Sequence, residues 1–339
     1  MERKEKMNVG IDISKSTFWA TISQKTEDFQ VKHLSSKEFK NKENEYQSFI
    51  KWIGSFRFEN FEVSFTMEAT GVYYECLANF LYNNGYNVQV VLPNKSCYFI
   101  KSLDIKSKTD KLDSKSLGQL GIERKLRTWQ PIQPIYKEIK SLTRERNSLV
   151  KFRTQQKNNL HALNNSYMPS EERISRIKVT ITFLDNQIKE VEKQIKDNLK
   201  KNQDLKEKVK RIKTIPGINT TTVAIIISET NGFEYIENAK QLTSFAGLDV
   251  KLAESGKWKG KTRISKQGNS HIRAALYFPA LTAIRCSSHY KTVYNRILLG
   301  KRGSKIGITA IQRKLLILIY SIWKSEKNYQ EIYQIEKAA

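Results

Sequence analysis

Four acidic residues in the first third of the sequence are the first candidates for chemistry: Asp12, Glu68, Asp110 and Asp113. The chain around them is strongly basic, with 59 lysine and arginine residues against 34 aspartate and glutamate residues. Carboxylates are preferred ligands of Mg²⁺ and Mn²⁺, and a bound divalent ion can activate a phosphodiester. The pattern therefore indicates phosphodiester chemistry, in which the acids hold the metal and the basic residues hold nucleic acid.

Two of these acids belong to predicted strands. Asp12 lies in an apolar, largely β-branched run over residues 9–13, which is typical of a strand. A carboxylate in such a run needs a cation or hydrogen bonds to compensate its burial. Glu68 ends an alternating run over residues 62–68, at the strand end where α/β sheets place ligands. A hydrogen-bonded structural role remains the alternative for Asp12.

The other two acids belong to a predicted helix that begins near Thr109 or Asp110. A spacing of three residues places Asp110 and Asp113 on the same face of that helix, so both can approach one ion. A helix cap is the alternative role for Asp110, because aspartate is common at helix starts. The four acids together, on two strands and one helix, are better explained by a shared metal ion, Mg²⁺ or Mn²⁺.

Ser255 is a candidate of a different kind, a hydroxyl between Glu254 and Gly256. A serine becomes a useful nucleophile only with a base or metal to take its proton and positive charge to stabilise the transition state. No histidine adjoins it, and from the sequence alone a surface serine in a flexible loop is the simpler interpretation. Cationic residues crowd this segment and are candidate nucleic-acid contacts: Lys257, Lys259, Lys261, Arg263 and Lys266.

Several short motifs resemble the DEDD-type insertion-sequence transposases, the bacterial family numbered one hundred and ten. They are Gly-Ile-Asp-Ile-Ser-Lys at 10–15, Met-Glu-Ala-Thr-Gly-Val-Tyr at 67–73, Lys-Thr-Asp-Lys-Leu-Asp-Ser at 108–114, Ile-Pro-Gly-Ile at 215–218, Phe-Ala-Gly-Leu at 245–248, Glu-Ser-Gly at 254–256 and Ile-Ser-Lys-Gln-Gly-Asn at 264–269. Their order and spacing cover nearly the whole chain. One departure is Asp249-Val250, where the family commonly has a proline.

The resemblance implies a fold and a mechanism. The fold is a RuvC-like, RNase H-type N-terminal domain, a long helical insertion and a C-terminal domain with a nucleophilic serine, here Ser255. The implied activity is cutting and rejoining of donor and target DNA through a covalent phosphoserine, guided by a structured RNA encoded beside the gene. The alternatives are a RuvC-like structure-selective nuclease that uses water, and a non-catalytic nucleic-acid-binding scaffold.

Hydrophobic periodicity predicts the organisation in more detail. We expect an α/β domain over 7–128, a helical hairpin or coiled coil over 135–213, and a mostly helical domain over 214–330, which the resemblance identifies as the transposase domain. Strands are predicted near 8–13, 17–23, 28–33, 62–68 and 86–92, and helices near 43–54, 73–83, 110–125, 238–246, 269–286, 290–299 and 306–325.

A heptad pattern marks the helical region. Seven apolar residues alternate at spacings of three and four, which is typical of a coiled-coil seam that closes on its own chain or on another subunit: Ile174, Ile177, Ile181, Leu184, Ile188, Val191 and Ile195. Self-association as a dimer or tetramer is therefore expected. The Pro-Gly at 216–217 predicts either a phosphate-binding helix-hairpin-helix or an ordinary turn.

Composition limits the classes of function. A net charge of +25 favours a polyanionic partner, and no apolar run or leader predicts a membrane or secreted protein, so a cytoplasmic bacterial location is expected. Three widely spaced cysteines predict reduced structural thiols and no zinc site. Tyrosine recombination is an alternative mechanism, because a histidine, an arginine and a tyrosine lie close together in the sequence at His271, Arg273 and Tyr277. Their spacing scatters them around a helix, so Arg273 is assigned to packing and phosphate contacts.

Overall fold

The computed structural model describes residues 5–28, 30–56, 61–105, 107–252, 254–256, 258–260, 263–299 and 303–329. The chain forms two compact units, Met1–Pro131 and Ile132–Ala339. The predicted boundary between the helical insertion and the C-terminal domain, after residue 213, lies inside the second unit. The division into three domains stays a prediction.

The first unit is built on a mixed five-stranded sheet with the order β3-β2-β1-β4-β5. Strand β2 is antiparallel to β1 and β3, whereas β1, β4 and β5 are mutually parallel. This is the order expected of an RNase H-type domain. The strands are β1 (Glu5–Ile13), β2 (Thr17–Lys25), β3 (Val31–Lys40), β4 (Phe61–Glu68) and β5 (Asn87–Val91).

Four helices accompany this sheet: α1 (Glu43–Gly54), α2 (Glu75–Asn83), α3 (Pro93–Ser102) and α4 (Asp110–Glu123). Helix α4 packs against β1, β2 and β4, α1 against β3, and α2 against β5. Strand β3 begins and ends later than the predicted 28–33, and α3 was not predicted. Its ten residues mix apolar and polar types without a clear period, although Pro93 suits a first helical turn. One side of the core is aromatic, where Phe18 packs against Phe39 and Phe49 with ring centroids 5.5 and 5.2 Å apart.

Helix α4 lies unusually close to β1 because glycines meet at the contact. A Cβ on Gly10 would stand 2.1 Å from both the Gly118 nitrogen and the Ser114 oxygen, which no real side chain tolerates. One helical turn further on, a Cβ on Gly121 would stand 2.2 Å from Nδ2 of Asn8. A buried hydrogen bond of 2.7 Å between the Ser114 and Thr21 hydroxyls ties the same helix to β2. The contact fixes the N-terminus of α4 beside the sheet.

The second unit begins with a helical hairpin, α5 (Pro134–Asn164) and α6 (Glu171–Lys200). Two ion pairs give its antiparallel register: Arg146 with Glu192 at 2.7 Å and Arg153 with Asp185 at 2.8 Å. In the predicted seam the residues at 174, 184, 188, 191 and 195 are buried. The seam thus closes at least partly on its own chain, while the coiled coil and its role in self-association stay predictions.

Short helices and two small strand pairs make up the rest of this unit: α7 (Gln203–Ile212), α8 (Thr220–Glu229), α9 (Ala239–Phe245), β6 (Val250–Lys251), β7 (Glu254–Ser255), β8 (Trp258–Lys259), β9 (Arg263–Ile264), α10 (Ser270–Ala275), α11 (Tyr277–Cys286), α12 (Ser288–Leu298) and α13 (Ser304–Ser325). The single helix predicted over 269–286 is wrong. It is two helices that meet at Leu276, and Pro279 lies in the first turn of the second, where its missing N–H is tolerated.

Three further observations concern the predicted absence of a membrane span, the predicted Pro-Gly motif and the cysteines. Within the described ranges, α13 alone has the length and hydropathy of a membrane span, and half of that stretch is buried in the core. Asn219 begins α8 as its cap, accepting a hydrogen bond of 2.8 Å from the Thr222 N–H, so the glycine usual in a helix-hairpin-helix is replaced by a capping residue. The three cysteines are free and exposed rather than packed in the core.

Replacing Gly10 by alanine tests the close contact of α4. Because the new methyl group would strike helix backbone, we expect the free energy of unfolding to fall by about 3 kcal/mol or more. Gly54→Ala is the matched control, since nothing lies within 4 Å of its Cβ position. Alanine there should be neutral or stabilise by up to about 1 kcal/mol. Urea unfolding followed by circular dichroism measures both, and equal effects would refute the contact.

Candidate active site

Three elements of the first unit bring the four predicted acids to one end of the sheet. Strands β1 and β4 are parallel neighbours in a register that pairs Ile11 with Met67. The next residue of each strand is Asp12 and Glu68, so the two carboxylates come level at the C-terminal end of both strands. Asp110 and Asp113 occupy the first turn of α4, which the glycine contact holds beside β1.

The acids are close enough to change one another's ionisation. The pKa of Asp12 is raised from its ordinary 3.8 to about 7, first by burial and then by the charges of Asp113, Asp110 and Glu68, against an opposing effect of Lys108. Burial also raises the pKa of Asp113, with Lys108 again opposing. The negative charge of the four carboxylates is therefore only partly balanced by nearby positive charge such as that of Lys108.

Hydrogen bonds orient Glu68 within this group. Its Oε2 accepts a short hydrogen bond of 2.5 Å from the Ser96 hydroxyl, and its Oε1 accepts a longer one of 3.4 Å from Thr70. Ser96 is buried in the first turn of α3. The role of Ser96 depends on helix α3, which the sequence pattern does not predict. Pro93, which follows strand β5 at a typical helix start, is a signal for the helix but not for the contact of Ser96 with Glu68.

Asp110 is not the helix cap. The Thr109 hydroxyl caps α4 instead, accepting a hydrogen bond of 3.2 Å from the Leu112 N–H. The carboxylate of Asp110 is exposed and acts on Asp12 through its charge. The alternative role considered for Asp110 is thereby excluded.

The donor chemistry of the four acids fits a hard divalent cation. All four offer carboxylate oxygens, the ligands preferred by Mg²⁺ and Mn²⁺, and their mutual repulsion is the electrostatic situation that a cation relieves. Among the residues that the structure describes, no three acidic, histidine or cysteine side chains stand close enough together to enclose an ion. The side chains would therefore have to draw together around it.

Ser255 lies in the second unit, on two short strand pairs that we call the serine arm, formed by the described residues within 250–264. Within the arm, β6 pairs with β9 and β7 pairs with β8, both antiparallel. Ser255 is exposed and directly precedes Gly256, whose φ of +56° is the left-handed value needed in a tight hairpin turn. The serine therefore stands in a paired strand beside a turn rather than in an irregular loop.

The base of the serine arm is tied to the helices around it. Asp249 accepts a hydrogen bond from the Ser265 hydroxyl across the base. The guanidinium of Arg273 donates to the carbonyl oxygens of Ala246 and Gly268 at 2.8 and 3.2 Å. Next to the base, Asn269 donates to a carboxylate oxygen of Glu229 at 2.8 Å. These bonds fix the two ends of the arm to each other.

Glu229 is a buried anchor that the sequence analysis did not identify. Its side chain is 1% exposed and pairs with Arg144 at 3.0 Å and Lys140 at 3.5 Å. Burial alone would raise its pKa, but the Arg144 hydrogen bond, the Lys140 charge and the Asn269 hydrogen bond outweigh burial, so the pKa lies below its ordinary value. Its partner Arg144 is 85 positions away, a distance at which no local pattern reveals a contact.

The six predicted nucleic-acid contacts have mixed outcomes. Arg263 and Lys266 are exposed, and Arg273 is partly engaged with backbone carbonyls. Lys257 and Lys261 lie outside the described residues, and of Lys259 only the backbone is described. A nucleic-acid role for these residues stays a prediction.

Comparison with known families covers both the four acids and the serine arm. A model of the DEDD transposase of the IS110 type matches residues 9–169, which include the four acids. A second model, described as the transposase IS116/IS110/IS902 family, matches residues 209–295, which include Ser255.

Relatives and solved structures show the extent of the likeness. The pilin gene-inverting protein of Moraxella bovis is 28% identical over 334 residues, 96% of this chain and 98% of the relative. The transposase for insertion sequence element IS1111A of Coxiella burnetii is 22% identical over 276 residues, 73% of this chain and 74% of the relative. T. thermophilus RuvC in complex with a Holliday junction substrate covers 33% of this chain and 90% of that chain, with 12% identity and a TM-score of 0.26.

The two family matches span most of the chain, and both halves carry the motifs found in the sequence. The protein is accordingly a member of the IS110 family of transposases, enzymes that act on DNA.

Proposed function

We propose that this transposase cuts and rejoins DNA with metal-binding carboxylates and a nucleophilic serine. The observation that carries the proposal is the convergence of Asp12, Glu68, Asp110 and Asp113 at one end of the sheet, where the charges of the other three acids add to burial in raising the pKa of Asp12. In this proposal the four acids hold Mg²⁺ or Mn²⁺. The ion would polarise the scissile phosphate and stabilise the oxygen that leaves.

Ser255 is the proposed nucleophile. Its Oγ forms a bond to phosphorus while the bond from phosphorus to one deoxyribose oxygen breaks, and that oxygen departs with a proton. The serine proton passes to a general base, and the described residues next to Ser255 in the arm include no histidine for that role. A deoxyribose hydroxyl from another strand then attacks the phosphoserine in reverse, so rejoining needs no external energy source.

The proposed partners are donor DNA, target DNA and a structured RNA encoded beside the gene. The charge of +25 supports a polyanionic partner, and the name of the Moraxella bovis relative supports DNA rearrangement as the reaction class. We infer self-association, as a dimer or tetramer, from the heptad seam.

RNA from the flank of the gene should outcompete unrelated RNA of equal length for the purified protein. Equal competition would exclude RNA guidance.

Asp12→Asn tests the electrostatics of the acidic site. Folding raises the pKa of Asp12 from 3.8 to about 7. Below pH 3.8 the carboxyl is protonated in both the folded and the unfolded protein, so it does not lower the free energy of unfolding. As the pH rises from there through about 7, the free energy of unfolding falls progressively, because the unfolded protein ionises this group more readily. We therefore expect the variant to have a higher Tm than the wild type near about pH 8 without divalent metal, and no advantage near about pH 4.

Adding Mg²⁺ at the higher pH should shrink the advantage of Asp12→Asn, because the cation offsets the repulsion that the substitution removes. Differential scanning calorimetry of both proteins measures the difference. Asp204→Asn is the control, since this exposed acid lies outside the acidic site and pairs with Lys208 at 2.7 Å in an i, i+4 arrangement. A pH-independent difference at Asp12 would show that its carboxylate is not repelled by its neighbours.

Ser255→Ala separates transposition by serine from simple hydrolysis. Removal of the nucleophilic oxygen should abolish both recombination and any protein–DNA adduct that survives denaturant, while DNA binding persists. Ser270→Ala is the matched control, because Ser270 is an exposed serine at the start of α10. Adduct formation by the Ser255→Ala protein would disprove the serine mechanism, and strand cleavage without any adduct would favour a RuvC-like nuclease that uses water.

A further inference from the structure

Trp258 stands directly across the serine arm from Ser255. The register of β7 and β8 pairs these two residues, and opposite residues in an antiparallel pair project from the same face with Cβ atoms about 5 Å apart. Trp258 is 62% exposed and is the only exposed one of the five tryptophans. A large apolar ring held in water beside a candidate nucleophile indicates a binding function.

A second feature of the arm points to the chemical class of the ligand. Lys251 and Arg263 are directly opposite each other in the pairing of β6 and β9, and both are exposed. Like charges directly opposite destabilise a strand pair, so this arrangement is unfavourable in the free protein. An anion between the two side chains removes the repulsion. The arm thus presents an aromatic face and an anion-binding pair within a few residues.

We propose that Trp258 stacks on an unpaired nucleobase next to the phosphodiester that Ser255 attacks, and that Lys251 and Arg263 bind phosphates of the same strand. The proposal rests on the proposed role of Ser255. Indole rings stack on any base, and cationic side chains track the backbone, which is the combination used to bind single strands. A base inside a duplex exposes no face to the ring, so the arm recognises DNA whose strand is already opened.

Binding of the full-length protein to a single-stranded DNA oligonucleotide and to an abasic strand of equal length tests the stacking. Assays in EDTA on the Ser255→Ala background keep chemistry out of the measurement. Because stacking contributes about 1–3 kcal/mol per base, Trp258→Ala should weaken binding of the normal strand by about tenfold. It should leave binding of the abasic strand within about twofold. Trp258→Phe, which keeps an aromatic face, should retain most of the affinity.

Two controls make the test specific. Leu252→Ala removes an apolar side chain of the same arm that is 63% exposed and should leave both affinities unchanged. Replacing Lys251 and Arg263 together by alanine should weaken both strands alike and reduce the salt slope of binding by about two. Equal weakening of both strands by Trp258→Ala would overturn the stacking. The stacking would also be overturned if Trp258→Ala left binding of both strands unchanged and altered the oligomer size, because Trp258 would then be a protein contact.

Adduct yield links the stacking to Ser255. In the chain with Ser255 intact and DNA at saturation, Trp258→Ala should lower the yield of the covalent adduct, because the scissile phosphate is no longer held in place. An unchanged yield would overturn placement of the base beside the attacked phosphate. If the wild-type chain itself forms no adduct, the serine mechanism fails, whereas the binding result on normal and abasic strands still decides whether Trp258 stacks on a base.

Discussion

The close approach of α4 to β1 is the constraint on which the candidate site depends. A Cβ on Gly10 would collide with the backbone of Gly118 and Ser114, so the helix lies directly against the strand. The hydrogen bond between Ser114 and Thr21 closes the same contact with a polar pair that is fully buried. Because the helix is held at that distance, its first turn delivers Asp110 and Asp113 to the strand end that carries Asp12.

Placing the four acids together lowers the stability of the folded protein. Asp12 is placed where burial, and after it the charges of the other three carboxylates, disfavour its ionised form and raise its pKa. The aromatic core under β2 and α1, in which Phe18, Phe39 and Phe49 are buried, contributes the stability that offsets this loss. The second unit also contains a buried carboxylate, Glu229, but this one has partners of opposite charge or hydrogen-bonding donors in Arg144, Lys140 and Asn269. These contacts stabilise the base of the serine arm.

Local patterns in the sequence predict the parts of this structure that depend on neighbouring residues. The apolar run around Asp12 and the alternating run before Glu68 predict β1 and β4, and the spacing of Asp110 and Asp113 predicts one face of α4. Contacts between distant residues are beyond such patterns. The sequence contains Gly10 and Gly118 but does not show that they face each other, and it gives no sign that Ser96 holds Glu68. Helix α3 escaped prediction because ten mixed residues carry too weak a period.

Direct measurement of Mn²⁺ binding tests the carboxylate centre most simply. Electron paramagnetic resonance of the protein bound to an uncleavable phosphorothioate DNA would follow the free ion as it is taken up. The wild type and the Asp204→Asn control should bind Mn²⁺ saturably, and Asp12→Asn and Asp113→Asn should each weaken that binding by about tenfold or more. Saturable binding that is the same in all four proteins would contradict a metal site formed by these acids.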